Sequence, residues 1–155
     1  MKKLIVIAEK EELKLVDKLG YKGIPVLITG VGALNVIESL KDVPRDTEII
    51  NVGYAGSDHL DVGKFYQVRT VTMHHPVVDY LEPTYKCREL DELFESHKCY
   101  TCCDFMSPGK VSGLFDMELA YIMAMGFENV RSLKYVSDHM DIKEYKETFN
   151  AESTE

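Results

Sequence analysis

Asp116 and Glu118 lie in a stretch, Leu114–Met125, that holds no other charged residue. Read as one helix, the stretch places these two carboxylates about 200° apart around its axis. They cannot share one solvent-facing stripe, and the other residues are Leu, Phe, Met, Ala, Tyr and Ile. A helix that is apolar nearly all round is buried, so at least one carboxylate is expected to point inward. An inward carboxylate needs partners, because an uncompensated buried charge is strongly unfavourable. The vicinal hydroxyls of a sugar would serve. Asp116 has a plainer reading as a first-turn residue interacting with the helix dipole. Glu118, further in, gains less from that dipole and is the stronger candidate.

Ser137-Asp138 directly follows Val130–Val136, which is expected to be a strand. Both residue types are good helix caps. However, Asp141 with Glu144 three positions later has the form of a capping box for a terminal helix, which frees Asp138 for another role. Glu9, Glu11 and Glu12 open the first helical pattern, where carboxylates commonly act as solvated dipole partners. Gly30-Val31-Gly32 lacks the third glycine of a dinucleotide loop and the Gly-Lys-Ser/Thr ending of a phosphate loop. The turn Gly53-Tyr54-Ala55-Gly56 is the better candidate for close backbone approach to a ligand.

Cys99 and Cys102 have CxxC spacing beside His97, but no second pair follows at a zinc-finger interval. On a strand the two cysteines would face opposite sides of the sheet. Buried structural thiols are therefore expected, with Cys87 and Cys103 in the same class. His74 and His75 likewise face opposite ways and make a poor metal pair. No metal or cofactor is expected.

These residues must be positioned by an alternating pattern of elements. Strands are expected at Lys3–Ala8, Ile24–Thr29, Glu48–Tyr54, Phe65–His74, Cys99–Met106 and Val130–Val136. Helices are expected at Lys10–Leu19, Ala33–Leu40, Arg88–Lys98, Leu114–Met125 and Ile142–Phe149. Strand, helix, strand at this spacing implies an α/β fold of three layers, a mixed, mostly parallel sheet flanked by helices. Ligands of such sheets bind beyond the carboxyl ends of the strands. Glu9–Glu12, Gly53–Gly56, Asp104–Met106 and Ser137-Asp138 all fall there.

The chain of 155 residues fits one domain, expected over 1–150 with a frayed acidic tail at 151–155. Its 18 Lys and Arg against 26 Asp and Glu leave a net charge of -8. That balance repels phosphate backbones and argues against a nucleic-acid partner. No apolar run reaches the roughly 18 residues of a membrane helix, and Leu4–Ala8 is too short for a signal-peptide core. A cytoplasmic chain with reduced thiols is the expectation.

The segments 5–13 (IVIAEKEEL), 29–35 (TGVGALN), 48–57 (EIINVGYAGS), 62–68 (VGKFYQV), 103–106 (CDFM), 115–122 (FDMELAYI) and 135–140 (YVSDHM) occur in an order that resembles the nucleoside phosphorylase and methylthioadenosine nucleosidase superfamily. Asp-Met-Glu followed some twenty residues later by Val-Ser-Asp is the specific part of the resemblance. It implies that Met117 and Glu118 hold the ribose, and that Asp138, oriented by Ser137, protonates or hydrogen-bonds the departing purine. It also implies that Phe105 stacks on the base and that Glu12 activates water. Tyr54, Ala55 and Gly56 fall near the nucleophile, and Lys134 stands where nucleosidases carry an arginine. The implied activity is cleavage of a purine N-glycosidic bond, by hydrolysis or by phosphorolysis. The implied partner is a small nucleoside or nucleobase, with the chain in a homo-oligomer, a dimer or larger.

The chain is a shortened member by this resemblance, the missing length falling between about Asp79 and Cys99. Asn51 stands where phosphorylases often carry a phosphate-binding arginine, which favours water as nucleophile. Tyr54 replaces a small hydroxyl residue. A ring of that size could fill the nucleophile's place and leave a binding protein without turnover, the alternative to an enzyme.

Overall fold

The computed structural model describes residues 2–75, 80–89, 92–102 and 111–140. Its strands are β1 (Lys3–Ile7), β2 (Val26–Ile28), β3 (Glu48–Ser57), β4 (Phe65–His75), β5 (Tyr80–Lys86), β6 (Ser96–Thr101), β7 (Leu114–Asp116) and β8 (Asn129–Asp138). Its helices are α1 (Leu13–Lys18), entered through a 3-10 turn at Lys10–Glu12, α2 (Ala33–Leu40) and α3 (Leu119–Ala124). The result is a mixed α/β fold with a sheet-rich core and few, short helices. None of the described helices is long and apolar enough to cross a membrane.

All eight strands join one sheet, in the order β2-β1-β3-β7-β6-β4-β5, with β8 pairing both β3 and β4. Parallel pairing links β1 to β2 and β3, β3 to β8, and β6 to β4 and β7. Antiparallel pairing links β3 to β7 and β4 to β5 and β8. Strands β1 and β3 bury both faces, which explains their unbroken runs of Ile and Val. Alternate side chains reach two separate cores. Ile5, Ile7, Ile50 and Val52 pack with Leu15 and Val16 of α1. Val6 and Ile49 join Val36 and Leu40 of α2 and Leu119 and Ile122 of α3.

Four expectations are corrected. Arg88–Lys98 is not a helix: 92–94 form a turn, and β6 begins at Ser96. Leu114–Met125 is not one helix, because Leu114–Asp116 form a strand and α3 starts only at Leu119. Gly53-Tyr54-Ala55-Gly56 is not a turn but the continuation of β3. Strand β5 carries Glu82, Pro83 and Lys86 and has little apolar signal, so it was absent from the sequence reading. Asp104–Met106, the capping pair Asp141 and Glu144, the helix expected at Ile142–Phe149 and the tail at 151–155 lie outside the described residues.

The middle of the sheet is cross-linked by one polar side chain. Asn51 on β3 donates from Nδ2 to the Val6 carbonyl at 3.2 Å and accepts at Oδ1 from the Ser132 hydroxyl at 2.8 Å. It is buried, so its loss would strand the Ser132 hydroxyl without that acceptor. Asn51→Ala is expected to lower stability by about 1–3 kcal/mol in urea unfolding. An unchanged midpoint would show that the bridge contributes nothing to the sheet.

Candidate functional site

The carboxyl ends of β1, β2, β3 and β8 open onto a cleft of about 210 Å3. Glu12, Tyr54, Ala55, Gly56, Met117, Glu118, Ser137 and Asp138, all expected from the sequence, line it. So do Glu9, Val31, Phe115, Asp116 and Met140. Phe105 lies outside the described residues. Lys134, expected to touch substrate, is not part of the lining. It is buried beneath the cleft on β8.

Glu12 is fixed by the backbone of two strands. Its Oε1 accepts from the Ala8 and Glu9 amides, each at 2.9 Å, and its Oε2 accepts from the Tyr54 amide at 2.9 Å. A carboxylate has about four acceptor positions, so one is left for a further donor. Burial pushes the Glu12 carboxyl up, against the opposing pull of these amides and of Lys134. The close approach requires glycine at 53. A Cβ there would stand 2.6 Å from Glu12 Oε2.

Asp138 is aimed by an irregularity in β8. Ala55 pairs with Val136 but Gly56 pairs with Asp138, so Ser137 is the extra residue of a bulge. Bulges turn side chains out of the regular alternation. Asp138 is buried, with Oδ2 accepting from the Ser137 hydroxyl at 2.7 Å and Oδ1 from the Met140 amide at 2.8 Å. Met140 adopts a φ of 72, a conformation uncommon outside glycine, and so folds its amide back onto the carboxyl. A Cβ at Gly56 would lie 3.0 Å from Asp138 Oδ1 and 2.8 Å from Met140 Sδ.

Glu118 stands at the N-terminus of α3 and faces the cleft. Its Oε2 accepts from the Gly32 amide at 3.3 Å. The Gly30-Val31-Gly32 loop thus contributes to the site, although it binds no phosphate by its motif. Beneath Glu118 runs a buried network. Asp116 pairs with Lys134 at 3.0 Å, both side chains out of solvent. Asp116 Oδ2 also accepts from the amides of Leu119 at 2.8 Å and Glu118 at 3.3 Å. The Thr101 hydroxyl donates to Asp116 and accepts from the Ala120 amide at 3.0 Å. Asp116 and Thr101 together satisfy the first amides of α3, the groups that every helix leaves unpaired. Burial alone would push the Lys134 ammonium down, but Asp116 beside it holds it above its ordinary range.

Asp116 had been read as a dipole partner. It does serve the helix N-terminus, but from a strand and as half of an ion pair. The signal for that pairing was weak: one lysine inside the strand pattern Val130–Val136, with no sequence proximity to its partner.

Burial, with the nearby Asp116 charge, raises the Glu118 carboxyl from 4.5 to about 8. As pH rises, the unfolded chain releases this proton first and the folded chain only near pH 8. The stabilisation is fully present below about pH 4.5 and is lost as pH climbs toward 8. Glu118→Gln is expected to flatten this dependence. Wild type should lose at least about 1 kcal/mol relative to the variant between pH 5 and 8.5 in thermal or urea unfolding. Parallel curves would show that Glu118 titrates normally.

No protein-family model matches the chain, and no curated protein sequence matches it. Solved structures do. The chain is similar to an MTAN from Chlamydia trachomatis bound to MTA, with a TM-score of 0.79 at 17% identity over 99% of this chain and 92% of that one. It is similar to the 5'-methylthioadenosine/S-adenosylhomocysteine nucleosidase of S. pneumoniae held with a transition-state inhibitor, at a TM-score of 0.75 and 17% identity, covering 98% and 94%. It is also similar to the futalosine hydrolase of Helicobacter pylori, at 0.74 and 15%, covering 97% and 90%. The chain shares the fold of these nucleosidases and of the futalosine hydrolase.

Proposed function

We propose that this chain hydrolyses the N-glycosidic bond of a purine nucleoside. One observation carries the reading: Glu12, Glu118 and Asp138 reach a single cleft from three separate elements. The base lies against Asp138 and Ser137, and the ribose hydroxyls meet Glu118 beside Met117. Water sits on the far side of the sugar, taking the remaining acceptor position of Glu12. As the bond to the base breaks, its electron pair moves to the base and Asp138 supplies a proton or a hydrogen bond there. Water adds to the sugar carbon and gives its proton to Glu12. The sugar carries positive charge at the transition state, and the ionised Glu12 beside it lowers the barrier.

Water is favoured over phosphate by charge. Among the described residues no Lys or Arg lines the cleft. Asn51 is occupied by Val6 and Ser132, and Lys134 is held by Asp116. The reading places the sheet as the middle of three layers and the chain in a homo-oligomer, as the resemblance implies. Tyr54 supports a second reading. Tyr54 lines the cleft, and its ring packs edge-on to Tyr135. A ring in the nucleophile's place would leave a nucleoside-binding protein without turnover.

Purine nucleosides incubated with and without phosphate separate these readings. Free base is expected in both cases, at equal rates. Strict phosphate dependence would make the chain a phosphorylase, and binding without release would make it a binder. Asp138→Asn keeps the size of the side chain but cannot supply a proton. It should lower turnover by ~10²-fold or more with little change in nucleoside affinity. Unchanged turnover would remove Asp138 from the reaction.

A further inference from the structure

Glu9 lines the cleft, yet the chemistry above has no use for its carboxylate. Its place follows from strand order. Side by side, β2, β1, β3 and β8 deliver Val31, Glu9 with Glu12, Tyr54 with Gly56, and Ser137-Asp138 to the cleft in sequence. Three strand spacings of about 4.8 Å span roughly 14 Å from the β8 end to the β2 end. That is close to the reach of a nucleoside with a substituent on its 5′ carbon. With the base at Asp138 and the ribose at Glu12 and Glu118, the 5′ end points toward Glu9 and Val31.

We infer that Glu9 is a specificity-determining residue. It selects nucleosides whose 5′ substituent is cationic or donates a hydrogen bond, and it rejects those carrying a 5′ phosphate or carboxylate. The inference rests on the nucleoside reading above and extends it to the far end of the ligand.

Charge supports it. Burial, with the charge of Glu11, raises the Glu9 carboxyl, and the Glu12 carboxylate accepts from the Glu9 amide at 2.9 Å. No described Lys or Arg lines the cleft to neutralise an anionic substituent. An incoming phosphate meets like charge, whereas an ammonium relieves the crowding of carboxylates. Val31, at this end, brings no charged side chain to hold an anion.

The test compares adenosine, 5′-amino-5′-deoxyadenosine, 5′-methylthioadenosine and adenosine 5′-monophosphate as substrates of wild type and of Glu9→Gln. Glutamine preserves the shape and removes the charge. For wild type, kcat/KM for base release should be highest for the 5′-amino compound. It should exceed the methylthio compound by about tenfold, with the monophosphate lowest. Glu9→Gln should cut the amino-to-methylthio ratio by about tenfold and raise the relative rate with the monophosphate. The inference is overturned if wild type uses the monophosphate as well as adenosine, or if Glu9→Gln leaves the ratios unchanged. If no compound is cleaved, hydrolysis itself fails. The same ratios are then read from dissociation constants by calorimetry, where the same order supports the role of Glu9 and a flat order overturns it.

Discussion

The ion pair between Asp116 and Lys134, closed at 3.0 Å and shielded from solvent, organises the site. Lys134, expected from the sequence to touch substrate, is held below the cleft by this pair instead. Asp116 ends β7 and holds the first amides of α3, which sets where Glu118 emerges. Lys134, in the middle of β8, stands under Gly53 close to Glu12 and offsets part of the repulsion among the carboxylates above it. Removing one partner of a buried pair leaves an uncompensated charge, which costs far more than the pair contributes. The site therefore depends on a contact between Asp116 in the cleft wall and Lys134 buried beneath it.

Two glycines express the same constraint on the backbone. Gly53 leaves room for Glu12 and Gly56 leaves room for Asp138, both on a strand rather than a turn. Neither is needed for a special φ. Each is needed because a carboxylate oxygen occupies the space that a Cβ would take. Strand β3 thus passes between the two carboxylates assigned to the water and to the base. A single strand fixes their separation.

Much of this was legible in the residues. Runs of Ile and Val marked β1 and β3 because both faces of those strands are buried. Helix α2 was bounded correctly, its start set by Gly32 and its buried positions being Val36 and Leu40. The inward carboxylate at Glu118 was expected for a partly wrong reason. The apolar surroundings were real, but they belong to a strand and a short helix that meet at Asp116. That break is caused by a tertiary ion pair and the Thr101 hydroxyl, neither of which leaves a periodic signal. Strand β5 went unpredicted, and Arg88–Lys98 was expected to be a helix because its charged residues suit a helix surface as well as an exposed strand. The bulge at Ser137 that aims Asp138 depends on register, which a single chain's pattern does not specify.

In the proposed reaction this cleft, lined by acidic side chains and by no described Lys or Arg, stabilises positive charge on a bound sugar. Binding measures that directly. A purine iminoribitol carries a cationic nitrogen in the sugar ring, and its tetrahydrofuran counterpart is neutral and nearly the same shape. Calorimetry should give the cation an affinity about 100-fold or more greater, as expected of a site complementary to a cationic transition state. Equal affinity for the two would contradict the account.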